Sequence, residues 1–315
     1  MTQNLPSPDQ PLKIGTRGSP LALAQAYETR DRLAKAFALM PEAFEIVVIK
    51  TTGDRVLDRP LKDIGGKGLF TREIEDALLR RDIDIAVHSM KDMPVAQPDG
   101  LILDTYLPRE DVRDAFISPR VSGLADLADG AVVGTSSLRR RAQLLVRRPD
   151  LHVVEFRGNM QTRLKKLDDG VAEATFLAMA GLNRMQIPNV PLHPIETDDM
   201  LPAVAQGAIG IERRIDDERV QEMLGAVHDV PTGQRLAAER AFLAALDGSC
   251  ETPIAGLAEL DGPNLRLRGE VLRPDGSEAV SDDVTVAIAD GADAGRAMAE
   301  KVLAEAGSGF FDWRS

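Results

Sequence analysis

The 315-residue chain has one cysteine, Cys250, and four histidines. A single thiol excludes an internal disulfide, and the scattered histidines give no clustered Cys/His set for zinc. Aromatic side chains make up 4% of the residues, which leaves few stacking platforms for a single-stranded nucleic acid. Positive charge is also short. Lysine and arginine number 38 against 50 acidic residues, a net charge of −12, and this argues against a general positive field for binding nucleic acid. No apolar run approaches the roughly 20 residues that cross a bilayer. Met1 to Pro11 lack the apolar core of a secretory signal. The expectation is a soluble, cytoplasmic protein of two or three ordinary domains, with no metal, nucleic acid or membrane as partner.

What is present is alternation. Short apolar runs (Leu12 to Thr16, Phe44 to Thr51, Ile83 to His88) alternate with helix-period stretches from Pro20 and from Leu69, which is α/β patterning. A second series follows Arg109: Ala115 to Ser118, Ala131 to Thr135, a helix from Leu138, His152 to Phe156, a helix from Asn159, and Ala174 to Leu177. Two lobes of similar build are implied, and the apolar run Ala208 to Ile211 is placed to return to the first lobe after the second. From Pro231 the pattern becomes one amphipathic helix, the loop Asp247-Gly248-Ser249-Cys250, three strand-like runs and a helix over about Ala292 to Ala306, a small α+β domain.

Chemistry-bearing residues gather at strand ends. The run Ile83 to Val87 delivers His88, Ser89, Lys91 and Asp92 at its carboxyl end, where open α/β sheets bind ligands. Pro94 disfavours helical geometry before it and predicts an extended segment for Lys91 and Asp92. A lone loop aspartate is by default a turn or cap residue. In Val133 to Arg141 a strand runs through Thr135, Ser136 and Ser137 into a helix whose apolar face is predicted to be Leu138, Ala142 and Leu145. Three arginines sit in its first turn, against the helix dipole. An anionic ligand would offset that penalty, and so would pairing to Asp or Glu. Arg157 and Arg163 flank the next helix start, and Gly65, Gly66 and Gly68 would let backbone approach a ligand beside Lys67, although the Walker spacing is absent. Three basic helix starts suggest a ligand with several carboxylates or phosphates. Cys250 lies in a loop; a buried inert thiol is the commoner fate of a lone cysteine.

The segments Gly15-Thr16-Arg17-Gly18-Ser19-Pro20-Leu21-Ala22, Gly65-Gly66-Lys67-Gly68-Leu69-Phe70, His88-Ser89-Met90-Lys91-Asp92-Met93-Pro94, Gly134-Thr135-Ser136-Ser137-Leu138-Arg139-Arg140, Arg157-Gly158-Asn159 and Gly248-Ser249-Cys250 resemble, in order, the motif series of the porphobilinogen deaminase family. The resemblance implies two lobes like those of periplasmic binding proteins (11–108 with 206–226, and 109–205) and a C-terminal α+β domain (230–315). It implies a monomer that condenses four porphobilinogen units head to tail, releasing ammonia, on a dipyrromethane held by a thioether to Cys250. Hydrolysis then releases hydroxymethylbilane for haem synthesis. Asp92 would match the catalytic aspartate. Arg17, Arg139, Arg140, Arg157, Arg163 and Arg184 would match carboxylate-binding arginines, and Ser19, Lys67, Lys91, Thr135, Ser136 and Ser137 other contacts. The chemistry agrees with the residues: each ring brings an acetate and a propionate, and loss of ammonia leaves a cation that a carboxylate can stabilise. Two other readings use the same residues, a two-lobed receptor for an anionic solute and a nucleotide-using transferase centred on Lys67.

Overall fold

The computed structural model describes residues 5–55, 71–248 and 252–314. The chain divides into two compact units, Met1–Arg109 with Ala208–Gly233, and Glu110–Gly207 with Gln234–Ser315. Lys67 and Cys250, and the helix start expected at Leu69, lie outside the described residues.

The first unit opens on β1 (Leu12–Thr16) and continues through α1 (Pro20–Phe37), β2 (Phe44–Val48), the short α2 (Thr52–Arg55), α3 (Arg72–Leu79), β3 (Ile85–Ser89) and β4 (Leu101–Tyr106). The chain comes back to it as β10 (Ile209–Arg214), followed by α7 (Glu218–Gly225). The sheet order is β2-β1-β3-β10-β4. β1 runs parallel to both β2 and β3, and β10 runs antiparallel to both β3 and β4. Both faces are covered, which is why β3 reads as an unbroken apolar run rather than an alternating one. One face packs Ile14, Leu33, Val87 and Ile211, the other Ile74, Leu78, Ile83 and Ala86.

The second unit repeats the scheme with β5 (Asp114–Ile117), β6 (Val132–Gly134), α4 (Leu138–Arg147), β7 (His152–Val154), α5 (Met160–Asp168), β8 (Ala174–Ala178), α6 (Met179–Met185) and β9 (Leu192–Pro194). Its order is β7-β6-β8-β5-β9, with β6 parallel to its neighbours and β5 antiparallel to β8 and β9. In each sheet three parallel strands meet one antiparallel strand in fourth place, so the two lobes of similar build expected from the sequence are present. The C-terminal part holds α8 (Val230–Ala245), an antiparallel sheet of β11 (Ile254–Asp261), β12 (Asn264–Leu272) and β13 (Ala279–Ala287), and α9 (Gly291–Ala306). Met298, Ala299 and Val302 give α9 its buried stripe.

Two local expectations are corrected. Met90–Asp92 forms one 3-10 turn rather than extended chain, while Met93 is extended at φ −84°, ψ 132°; the proline restricts only the residue that precedes it. The buried face of α4 is Arg139, Arg140, Ala142, Gln143 and Leu144. The expected apolar face is thus rotated toward charged residues, because Asp114 on β5 supplies a buried counter-charge.

Before β10 the backbone bends sharply, with Ala205 at φ 60° and Gly207 at φ 87°. The Ala205 N–H donates to Glu239 Oε2 on α8 at 2.7 Å. A Cβ on Gly207 would lie 2.5 Å from the Glu110 carbonyl oxygen. Gly207→Ala therefore combines left-handed strain with a backbone clash and is expected to cost at least about 1–3 kcal/mol. Chemical denaturation followed by circular dichroism should show the fall, and an unchanged midpoint would mean that the bend tolerates a side chain.

Candidate active site

In the first unit β1 and β3 are parallel neighbours and end at the same edge of the sheet. β1 hands over to Arg17 and Ser19; Ser19 Oγ accepts the Ala22 N–H at 3.3 Å and caps α1. β3 hands over to the 3-10 turn that carries Lys91 and Asp92. Arg17, Ser19, Gln25, Thr71, His88 and Asp92 line one open pocket. Asp92 is exposed, and Arg17, Ser19 and Lys91 are half-buried. Beneath the rim, Gln25 and Ser89 are locked side chain to side chain: Gln25 Nε2 donates to Ser89 Oγ at 2.8 Å, and Ser89 Oγ lies 3.0 Å from Gln25 Oε1. The imidazole of His88 reaches down to Glu212 on β10, with Nε2 3.1 Å from Glu212 Oε2. Glu212 is fully buried and His88 nearly so.

The second unit places its predicted residues differently. Ser137 Oγ caps α4 through the Arg140 N–H at 3.4 Å. Thr135 Oγ1 accepts the Ser137 N–H, and Ser136 Oγ the Phe156 N–H, so each of these hydroxyls takes part in shaping the turn. Arg139 and Arg140 are turned inward, 5% and 4% exposed, each with a terminal nitrogen 2.8 Å from Asp114. Burial alone would push the Asp114 carboxyl up, but the two guanidiniums outweigh it and hold it well below the usual carboxylate range. The remaining forks serve backbone, Arg140 to the Phe176 carbonyl and Arg139 to the Leu201 carbonyl. The Nε atoms of both arginines are buried without a hydrogen-bond partner among the described residues. Arg157 and Arg163 are half-buried at the start of α5, where Asn159 is the cap and Arg163 Nε donates to the Gly158 carbonyl at 2.9 Å. Arg184 donates to the Gly207 carbonyl at 3.1 Å.

Arg17, Ser19 and Asp92 are thus gathered in one pocket, and Arg139 and Arg140 in one buried cluster. Sequence reasoning gave no role to His88, Gln25, Glu212 or Asp114. The available signal was a polar residue at the end of an apolar run, His88 after Ile83 to Val87 and Glu212 after Ala208 to Ile211, where a side chain with no partner would be costly.

A pocket carrying both a cation and a carboxylate at the carboxyl ends of parallel strands, in a two-lobed α/β chain with a separate C-terminal sheet, marks a protein that binds a small molecule. Family models identify which one. Residues 12–222 match that of the porphobilinogen deaminase dipyromethane cofactor binding domain, and residues 234–304 that of the porphobilinogen deaminase C-terminal domain. The chain is 66% identical over 313 residues to a porphobilinogen deaminase of Paracoccus denitrificans, covering 99% of this chain and 100% of that one. It is 52% identical over 307 residues to a chloroplastic porphobilinogen deaminase of Pisum sativum, covering 96% of this chain and 83% of that one. Among solved structures, a periplasmic binding protein of Salmonella typhimurium is similar at 16% identity and a TM-score of 0.40, covering 69% of this chain and 91% of that one. The chain belongs to the porphobilinogen deaminase family, a family of enzymes.

Proposed function

We propose that this chain is a transferase that condenses four porphobilinogen units head to tail with release of ammonia and then frees hydroxymethylbilane by hydrolysis. The observation that carries this reading is the exposed carboxylate of Asp92 sharing one pocket with Arg17 and Ser19. A pyrrole with acetate and propionate arms asks for that donor set: a carboxylate to accept its N–H, and cations and hydroxyls to receive its arms. The same chemistry fits a dipyrromethane, which Cys250 would hold through a thioether, with Lys67, Lys91, Thr135, Ser136, Ser137, Arg139, Arg140, Arg157, Arg163 and Arg184 as further contacts. When bound, the dipyrromethane supplies the free pyrrole carbon from which growth starts.

Asp92 accepts the pyrrole N–H of the reacting substrate and opposes the positive charge that develops as the amine departs. One unit charge at about 4 Å is worth on the order of 4 kcal/mol at an effective dielectric of 20, about three decades in rate if felt only in the transition state. Arg17 and Ser19 orient the substrate by its carboxylates. Three domains are part of the proposal, 11–108 with 206–226, 109–205 and 230–315; the separate β11–β13 sheet supports the third. So are a monomeric state and a cytoplasmic location. Among the described residues no helix is long and apolar enough to cross a membrane.

Intact mass under denaturing conditions, with peptide mapping, tests the reading. An increment of two porphobilinogen units less two ammonias on Cys250 is expected, and Cys250→Ser should lack it. Folded parent protein with an unmodified thiol would return the solute-receptor reading to the front.

A further inference from the structure

The pocket contains a second titratable group besides Asp92. His88 lies at the end of β3, four residues before Asp92, and lines the same pocket. Its Nε2 is engaged by Glu212 Oε2. That leaves Nδ1 as the ring nitrogen available to the pocket, since an imidazole has only two. Glu212 is held in place by its strand: β10 pairs antiparallel with β3, Gly210 standing opposite His88 and Glu212 opposite Ala86. Gly210 leaves room over the sheet for the Met90 side chain, since a Cβ there would fall 2.1 Å from Met90 Sδ. A buried carboxylate behind an imidazole that lines a pocket fixes the ring's orientation, which is the arrangement of a proton-transfer group.

We propose that His88 holds and moves the proton at the reaction centre, with Glu212 as its positioning residue. This rests on the deaminase reading above. In the first half of a cycle a proton passes from the imidazolium Nδ1 to the substrate's neutral aminomethyl nitrogen. The C–N bond breaks and its electron pair leaves on ammonia, while the lone pair of the pyrrole nitrogen forms a ring C=N bond and pushes the ring π electrons into the exocyclic C=C bond. In the second half Nδ1 takes up the proton displaced from the acceptor α-carbon as the new C–C bond replaces it, and the imidazolium is restored. Porphobilinogen enters, ammonia leaves, and no external acid is consumed. Asp92 opposes the transient cation, and His88 manages the proton.

The charged and titratable groups around His88 come from four directions. Glu212 approaches from β10, Arg17 from the end of β1, Asp92 from the turn after β3, and Glu75 from α3. Glu75 is buried, and burial together with the nearby Glu212 carboxylate pushes its carboxyl above the usual range. The carboxylate in direct contact with the imidazole is Glu212.

The test pairs two readouts on the full-length, cofactor-loaded enzyme, with loading checked by intact mass. NMR of ¹⁵N-histidine-labelled protein gives the His88 titration midpoint, and ammonia release gives kcat against pH. In the unsubstituted enzyme the two midpoints should coincide on the basic limb, where an acid is lost as pH rises. Glu212→Gln removes the carboxylate behind the ring, so the two midpoints should still coincide and move together. His88→Gln should lower kcat by about 100-fold with KM within about threefold and abolish the basic limb. A basic limb that ignores the His88 midpoint, in the parent or in Glu212→Gln, would overturn the proposal, as would His88→Gln turning over within about threefold of the parent. If His88→Gln fails to fold, the comparison of parent with Glu212→Gln decides alone. A parent chain without the two-unit addition on Cys250 would instead overturn the deaminase reading itself.

Discussion

Asp92→Asn should leave the protein folded and its mass increment on Cys250 intact, and should lower turnover by about a thousandfold. The substitution keeps shape and hydrogen-bonding capacity while removing one charge, so it isolates the electrostatic contribution estimated at on the order of 4 kcal/mol. Asp92 is exposed, and exposed substitutions away from caps and cores usually change stability by no more than about 0.5 kcal/mol. Activity and stability should therefore separate cleanly. Ammonia release under saturating substrate, set beside a thermal melt, is the measurement; near-normal turnover would remove Asp92 from the chemistry.

Asp114→Asn should act in the opposite sense, on stability first. Its carboxylate is fully buried and lies 2.8 Å from both Arg139 and Arg140. Taking away the counter-charge strands two guanidiniums in the interior, a loss of about 3–5 kcal/mol for a buried pair broken on one side. The pH dependence has a definite sign. The folded-state pKa of Asp114 is depressed, so its contribution is fully present above the unfolded value of about 3.9 and is lost as pH falls toward the lower folded value. Denaturant midpoints should fall between roughly pH 4 and strong acid in the parent, and Asp114→Asn should show a weaker dependence over that window. A variant within about 1 kcal/mol of the parent at neutral pH would mean that the cluster is solvated. The same cluster bears on any charge-removing change at Arg139 or Arg140, which would leave Asp114 under-neutralised as well as withdrawing donors from a ligand.

The lobes and the C-terminal sheet were legible because their signals are local. Apolar runs of five or so residues became β1, β2, β3 and β8; Ser137 and Asn159, at the strand-to-helix turns, became caps; and the run at Ala208 did return as β10. What was not legible was tertiary. The periodicity of α4 pointed to Leu138 and Leu145 as its inner face, because no one-dimensional pattern contains Asp114, which lies 25 residues before Arg139 (139 − 114). The His88 and Glu212 pair joins residues 124 apart, so neither partner announced the other. Leu101–Tyr106 and Leu192–Pro194 escaped notice for a different reason. The first mixes polar and apolar residues at the edge of its sheet, and the second is three residues long and ends in proline.

The return of β10 also bears on how the chain is made. The strands of the second lobe's sheet, β5 to β9, all lie within Asp114–Pro194, so that sheet can close as soon as its own stretch has left the ribosome. The N-terminal sheet cannot, because β10 stands between β3 and β4. At about 5–20 residues per second, the roughly 100 residues from Tyr106 to Ile209 take on the order of 5–20 s to synthesise. Through that interval β3 and β4 await the strand that joins them, with backbone donors and acceptors open to wrong neighbours. The lobe whose synthesis begins first is thus completed second, and the nascent chain is most vulnerable before its middle third is finished.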